Sequence, residues 1–238
     1  MVLVNTRNPL NIGAAARAMS NFGFSDLRLV DPYEPSFREA RSAVGAAEVL
    51  GSARVFETVA DAVADCVFVA GTTSGARRDL QQSLELLEDG AKSIRKRLRA
   101  GRVAILFGSE KRGLSNDDLS HCHLLLRIPT REEHGSMNLG QAVAVCLYEL
   151  ARDGKRAPES KKPRKFAEDQ EPTSGDLERI TTLLVESLRL SGYVDARRTV
   201  SAEDKVRRMV RRLNLSAADV HLVLGMLRQV HWKLGGGK

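Results

Sequence analysis

Apolar and polar positions along residues 1–152 form short β-type runs separated by helical patterns. The runs are Val2–Val4, Leu27–Val30, Arg54–Phe56, Val67–Ala70, Val103–Phe107 and Leu124–Ile128. Helical spacing marks residues 11–22, 36–50, 58–64, 79–99, 115–121 and 138–152. The third to fifth runs are continuous or nearly continuous apolar segments, which predicts strands covered on both faces. Strand and helix in alternation predict an α/β fold with a mostly parallel sheet.

The pattern breaks at 153–175, which holds three of the seven prolines, a basic run from Lys155 to Lys165 and then an acidic patch. This composition reads as a linker. From Asp176 onward the strong signals are helical. Thr173 or Ser174 caps a helix with Leu177, Ile180, Leu183, Leu184 and Leu188 on one face. A second helix follows Ser201, with Glu203 and Asp204 in its first turn and Arg211 and Arg212 near its end. Ser216 caps a third, with Val220, Leu224, Leu227 and Val230 aligned, and Trp232 is expected to pack that helix. The division is therefore 1–152, 153–175 and 176–238, the last a small all-helical module.

Charge adds a direction. The 238 residues carry 37 Lys and Arg against 30 Asp and Glu, a net charge of +7, which suits a polyanionic partner such as nucleic acid. Arg197, Arg198, Lys205, Arg207, Arg208, Arg211, Arg212 and the basic run are the candidate phosphate contacts. Cys66, Cys122 and Cys146 are odd in number and lie in apolar contexts, which speaks against a disulfide scaffold. Residues 1–6 lack the pattern of a signal peptide and no run is long enough to span a membrane, so a cytoplasmic protein is expected. His121, Cys122 and His123 alternate faces at a strand start with no second ligand pair at a suitable spacing, so no metal site is expected.

Nucleotide-binding motifs do not account for the glycines. Gly108 to Ser115 has P-loop glycine spacing, but Leu114 stands where the phosphate lysine belongs. No G-x-G-x-x-G follows the first strand. Instead three clusters sit at strand ends or helix starts: Asn11-x-Gly13-x-x-x-Arg17, then Phe107-Gly108-x-Glu110-x-x-Gly113-Leu114, then Ile128-Pro129 with Ser136-x-Asn138-Leu139-x-x-Ala142-Val143.

In that order and spacing, across residues 1–152, the clusters resemble the three motifs of the SpoU/TrmH branch of the SPOUT RNA methyltransferases. Within the branch, Gly71 to Ser74 after the fourth run and the helical extension ending near Leu224–Leu227 resemble enzymes that methylate a cytidine or uridine ribose in the tRNA anticodon loop. The resemblance implies a trefoil knot in the last third of 1–152, a homodimer with the site near its interface, and S-adenosylmethionine as co-substrate. It places the cofactor on Thr72, Thr73, Ser74, Gly108, Ile128, Gly135, Ser136, Met137 and Leu139. The positions matching polar catalytic residues are Asn11, Arg17, Glu110, Ser136 and Asn138. Arg17 would bind phosphate and stabilise the developing alkoxide, Glu110 would fix that guanidinium, and Asn11 and Asn138 would orient the ribose.

The implied reaction is methylation of a ribose 2′-hydroxyl in tRNA, at position 32. The alternatives are the same chemistry on ribosomal RNA or another tRNA position, and a knotted RNA-binding protein without turnover. No metal and no membrane partner is implied.

Overall fold

The computed structural model describes residues 1–33, 45–74, 82–131, 133, 135–152, 171–194 and 199–236. Lys155–Lys165, Arg197 and Arg198, and most of the helix expected at 36–50, lie outside the described residues. Among the described residues seven strands form one sheet: β1 (Val2–Val4), β2 (Arg28–Val30), β3 (Arg54–Phe56), β4 (Cys66–Thr72), β5 (Leu84–Leu86), β6 (Arg102–Phe107) and β7 (Leu124–Arg127). They run in the order β3-β2-β1-β6-β4-β7-β5, and every pairing is parallel.

Because successive strand residues point to opposite faces, each central strand feeds two cores. Leu3, Ile105, Phe107, Leu124 and Leu126 face one layer, and Val2, Val4, Ala104, Leu106 and Leu125 the other. The first layer is closed by α1 (Pro9–Phe22), α2 (Ala47–Gly51), α4 (Leu87–Arg97) and α6 (Leu139–Ala151). The second is closed by α3 (Val59–Val63) and α5 (Asn116–Ser120). Helix α1 starts at Pro9 because the Asn8 side chain accepts from the Leu10 N–H and proline presets the first helical φ. Its small side chains let α6 approach so closely that a Cβ on Gly140 would fall 2.6 Å from the Ala14 Cβ.

Two expectations fail at the sheet's edges. The Arg54–Phe56 run is not covered on both faces: β3 is an edge strand and Val55 is exposed. The stretch 79–99 is not one helix, since residues 84–86 pair with β7 as the opposite edge before α4 begins. Three residues are too short for alternation to register, and Leu84, Leu86, Leu87, Ala91 and Ile94 together mimic a helical stripe. Short edges of this kind limit unwanted strand addition.

The remaining helices are α7 (Ser174–Leu190), α8 (Thr199–Arg212) and α9 (Ala217–Leu234). Capping boxes open α7 (Thr173 with Asp176) and α9 (Ser216 with Asp219). Helix α8 starts at Thr199, so Glu203 and Asp204 fall beyond its first turn. Leu177, Ile180, Val210, Val220 and Leu224 form a third core. Trp232 does not pack the last helix: it is exposed, and the buried residues of α9 stop at Leu224.

Arg207 and Arg211 are the sharpest departure from the sequence reading. Their side chains are 5% and 2% exposed, so they cannot meet phosphates. The Arg207 guanidinium bonds Glu178, Asp117 and Ser120, and Arg211 Nε donates to the His121 carbonyl at 3.0 Å. One turn apart on the face that also buries Val210, they join α8 to α7 and to the end of α5.

Candidate active site

In open α/β sheets, ligands bind outside the carboxyl ends of the strands, where loops diverge. Here the loops leaving β4, β6 and β7 and the start of α1 enclose a cleft of about 560 Å³. Each loop is shaped by a local constraint. After β6, Ser109 and Gly113 form a one-bridge hairpin, with Gly113 N–H donating to the Ser109 carbonyl at 2.8 Å and Gly113 at φ +66°. That hairpin folds back so tightly that a Cβ on Gly108 would sit 2.0 Å from the Gly113 carbonyl carbon. Ser115 then caps α5 through a capping box with Asp118. After β4, the Thr72 hydroxyl donates to the Leu106 carbonyl at 2.9 Å and Thr73 N–H to the Leu126 carbonyl at 3.0 Å, which ties this loop to both neighbouring strands.

At the cleft lie three polar side chains from three distant segments. Asn11 Nδ2 donates to Glu110 Oε1 at 3.0 Å, and Asn138 Nδ2 donates to Asn11 Oδ1 at 3.0 Å. Glu110 also accepts from the Asn8 N–H at 3.2 Å and the Arg7 N–H at 3.4 Å. Asn138 Oδ1 caps α6 by accepting from Gln141 N–H. Each amide therefore has its orientation set by its partners. Partial burial works against the Glu110 charge. The donors from Asn11 and the backbone outweigh it and hold the carboxyl below its usual range. A carboxylate so stabilised is an anchor at neutral pH, not a proton acceptor, which needs a pKa near the working pH.

All nine positions expected to hold a cofactor line this cleft: Thr72, Thr73, Ser74, Gly108, Ile128, Gly135, Ser136, Met137 and Leu139. So do Asn11, Glu110, Ser136 and Asn138. Arg17 does not. It lies six residues beyond Asn11, about 120° around α1 and roughly 9 Å along it. It is exposed, with Nη1 close enough to Gly45 that a Cβ there would fall 2.7 Å away. Within one chain Glu110 secures Asn11 and the loop after β1, where the resemblance suggested it would fix Arg17. The sequence reading passed over the apolar wall of Phe107, Leu114, Leu126 and Ala142, and the cations Lys111 and Arg112. All but Leu126 stand within the motifs, so their signal was present; Leu126 read simply as part of a buried strand.

A hollow of about 590 Å³ lies at the opposite ends of the strands, lined in part by Met1, Arg28 and Cys66. Its one buried cation is saturated: Arg28 bonds Asp26, Asp65 and the Ala62 carbonyl. His121, Cys122 and His123 are engaged separately. His123 Nδ1 accepts from Val69 N–H at 3.2 Å while its ring stacks on Phe68, Cys122 Sγ lies 3.7 Å from the Asp118 carbonyl, and His121 sits beside Glu178. Among the described residues, no group of three or more His, Cys, Asp or Glu side chains could hold a metal ion. None of their helices is long and apolar enough to cross a membrane.

Known proteins resemble this chain along nearly its whole length. A tRNA (cytidine/uridine-2′-O-)-methyltransferase TrmJ from Sodalis glossinidius is 34% identical over 235 residues, covering 97% of this chain and 90% of that protein. The TrmJ of Klebsiella pneumoniae is 33% identical over 232 residues, with 97% and 95% covered. The crystal structure of TrmJ from Z. mobilis ZM4 superposes with a TM-score of 0.80 at 33% identity, covering 96% of this chain and 97% of that one. Residues 1–148 match the SpoU rRNA Methylase family. With its parallel α/β sheet, its cleft at the strand ends and the three motifs meeting there, the chain belongs to the SpoU rRNA methylase family.

Proposed function

We propose that this protein transfers a methyl group from S-adenosylmethionine to a ribose 2′-hydroxyl in the anticodon loop of tRNA, at nucleotide 32. The observation that carries the reading is the hydrogen-bonded set Asn11, Glu110 and Asn138 at a cleft of cofactor size. The TrmJ relatives supply the substrate class.

The cleft residues fit the cofactor. Leu126, Ile128, Leu139 and Ala142 offer an apolar wall for a flat heterocycle, and Thr72–Ser74, Gly108 and Gly135–Met137 border it with backbone polar groups and small side chains. When bound, S-adenosylmethionine supplies an electrophilic methyl group on a sulfonium. The chain's task is then to align a poor nucleophile and ease the loss of its proton. Glu110 stays ionised and fixes the Asn11 amide, which fixes Asn138, giving a rigid polar edge against which a ribose is oriented. Ser136 lines the same cleft. Arg17 binds a phosphate and stabilises the developing alkoxide, an effect worth roughly 3–4 kcal/mol for a single such donor.

Arg17 reaches a cleft through a homodimer. Helices α1 and α6 pack together and expose Leu10, Ala14 and Arg17 on one and Gln141, Val145 and Tyr148 on the other. That face suits a second copy, and the Arg17 serving each cleft comes from the opposite chain. The trefoil knot belongs to the same reading. Strand β4 separates β7 from β6, yet α6, the helix after β7, packs on α1, the helix after β1; a threaded return is the path this reading gives the chain. Residues 1–152 form the methyltransferase domain of a cytoplasmic enzyme, 153–175 a linker, and 176–238 a helical module that assists tRNA binding.

The test is transfer of labelled methyl to an unmodified tRNA transcript and to the same transcript with a 2′-deoxynucleotide at position 32. Label on the first alone is expected. Equal label on both, or label on ribosomal RNA alone, overturns the position or the substrate; no label on any RNA overturns the function.

A further inference from the structure

A ribose held at the Asn11–Glu110–Asn138 edge leaves its base to be supported by something outside the cleft. The only aromatic side chain lining the cleft among the described residues is Phe107, which is buried in the core. The exposed aromatics of the described residues are Tyr33, Tyr148, Tyr193 and Trp232. Tyr148 lies on the α6 face against Phe22, Tyr193 follows the end of α7, and Trp232 lies on α9. Tyr33 alone is joined to the polar edge by a short chain of contacts.

That chain is rigid. Strands β1 and β2 pair in register and each is followed by a non-glycine residue with positive φ, Asn5 at 53° and Asp31 at 43°. Asn and Asp tolerate this conformation better than other side chains, and it turns both loops sharply off the sheet. Asn5 N–H donates to the Val30 carbonyl at 2.9 Å, Asp31 N–H to Phe56 at 3.1 Å, and Tyr33 N–H to Thr6 at 3.3 Å. The two loops are thus pinned to each other. The Arg7 guanidinium carbon stands 5.9 Å from the Tyr33 ring centroid, within cation–π range. The Arg7 N–H, in turn, donates to Glu110. Yet Tyr33 remains 51% exposed. A half-exposed tyrosine, held by pinned backbone and braced by an arginine whose N–H bonds Glu110, presents a fixed ring one residue removed from the polar edge.

We propose that Tyr33, braced by Arg7, is the platform on which the base of the nucleotide undergoing methylation stacks. The inference rests on reading the cleft as the site of an RNA ribose methyltransferase. Unpaired loop bases are bound by stacking on aromatic and guanidinium planes, and such stacking is tolerant of base identity because every base has a π-face. Tyr33 is therefore a substrate-positioning residue that does not itself separate cytidine from uridine.

The test uses the full chain and a tRNA carrying fluorescent pyrrolocytidine at position 32. Wild type is expected to quench the fluorophore on binding, Tyr33→Ala and Tyr33→Leu to bind without quenching, and Tyr33→Phe to restore it. With unlabelled tRNA, kcat/KM for the RNA should fall about tenfold in Tyr33→Ala and Tyr33→Leu and recover in Tyr33→Phe, with S-adenosylmethionine affinity unchanged throughout. The leucine variant keeps the apolar bulk and separates stacking from folding. Full quenching and full kcat/KM in both variants overturn the platform while leaving the methyltransferase intact. Quenching that depends on Tyr33 in a protein that methylates no RNA overturns the function and leaves the platform standing.

Discussion

Arg207→Met tests whether the buried arginines of α8 are a structural clasp or part of a nucleic-acid surface. The Arg207 Nε donates to both Glu178 oxygens at 3.0 and 3.1 Å. Its Nη1 reaches Asp117 at 3.2 Å, Ser120 at 3.0 Å and Asp204 at 3.4 Å. Removing one partner of a buried ion pair costs about 3–5 kcal/mol, chiefly because the other is left buried and unpaired. Here the lower end applies. Arg211 still holds Glu178, and Asp117 is exposed enough to be rehydrated. The expected loss is about 3 kcal/mol in urea unfolding at pH 8, against at most about 0.5 kcal/mol for the exposed Arg212→Met. The deficit should also depend on pH. Burial and the neighbouring Asp117 charge already hold the Asp204 carboxyl above its usual range, and Arg207 opposes that rise. Without Arg207 the carboxyl rises further. A carboxyl raised in the folded state gives stability that is complete below its unfolded value and lost as pH rises through the folded one. The deficit should therefore be smaller at pH 5 than at pH 8. A loss below 1 kcal/mol, or one equal to that of Arg212→Met, refutes the clasp.

Further outcomes follow from the site and the interior. Gly108→Ala places a Cβ against the backbone of Gly113 and Leu114, atoms that no rotamer change can move; calorimetric affinity for S-adenosylmethionine should drop at least about tenfold, and unchanged affinity would remove the 108–114 loop from the cofactor site. Arg17→Ala should bind the cofactor normally and lose about 100-fold in methyl transfer, so near-normal turnover rules out its role. His121 is kept neutral by burial and by the charges of Arg211 and Arg207, which pushes its pKa down to about 2 although Glu178 lies 3.8 Å away, because Glu178 is shared by both arginines. A depressed histidine gives stability present above its unfolded value, 6.5, and lost as pH falls. Between pH 7 and 5 this amounts to about 2 kcal/mol; His121→Gln should flatten that decline in urea melts, and an unaltered slope would contradict it.

The central strands were legible because their neighbours on both faces forced apolar runs. Val67–Ala70 and Val103–Phe107 had no other reading. Edge strand β5 was not, since it is only three residues long and makes one pairing, to β7, too little local signal to break a helical pattern; edge strand β3 was legible as a strand, though not as an edge. The motifs brought out most of the cleft because their Asn, Gly and Glu stand at strand ends and helix starts, where open α/β sheets bind ligands. Charge misled most at Arg207 and Arg211: net charge records no direction, and carboxylates from Asp117, Glu178 and Asp204 decide which arginines turn inward. The brace of Arg7 on Tyr33 depends on two separate loops meeting, which no local pattern encodes.

The most direct test of the central claim is to digest the tRNA product of a reaction with labelled S-adenosylmethionine and identify the labelled nucleoside and its position by mass spectrometry. The account predicts a 2′-O-methylated pyrimidine at position 32, absent with Glu110→Gln. Label on a base, or an unchanged yield of 2′-O-methyl product from Glu110→Gln, would contradict the claim that the Asn11–Glu110–Asn138 edge orients a ribose.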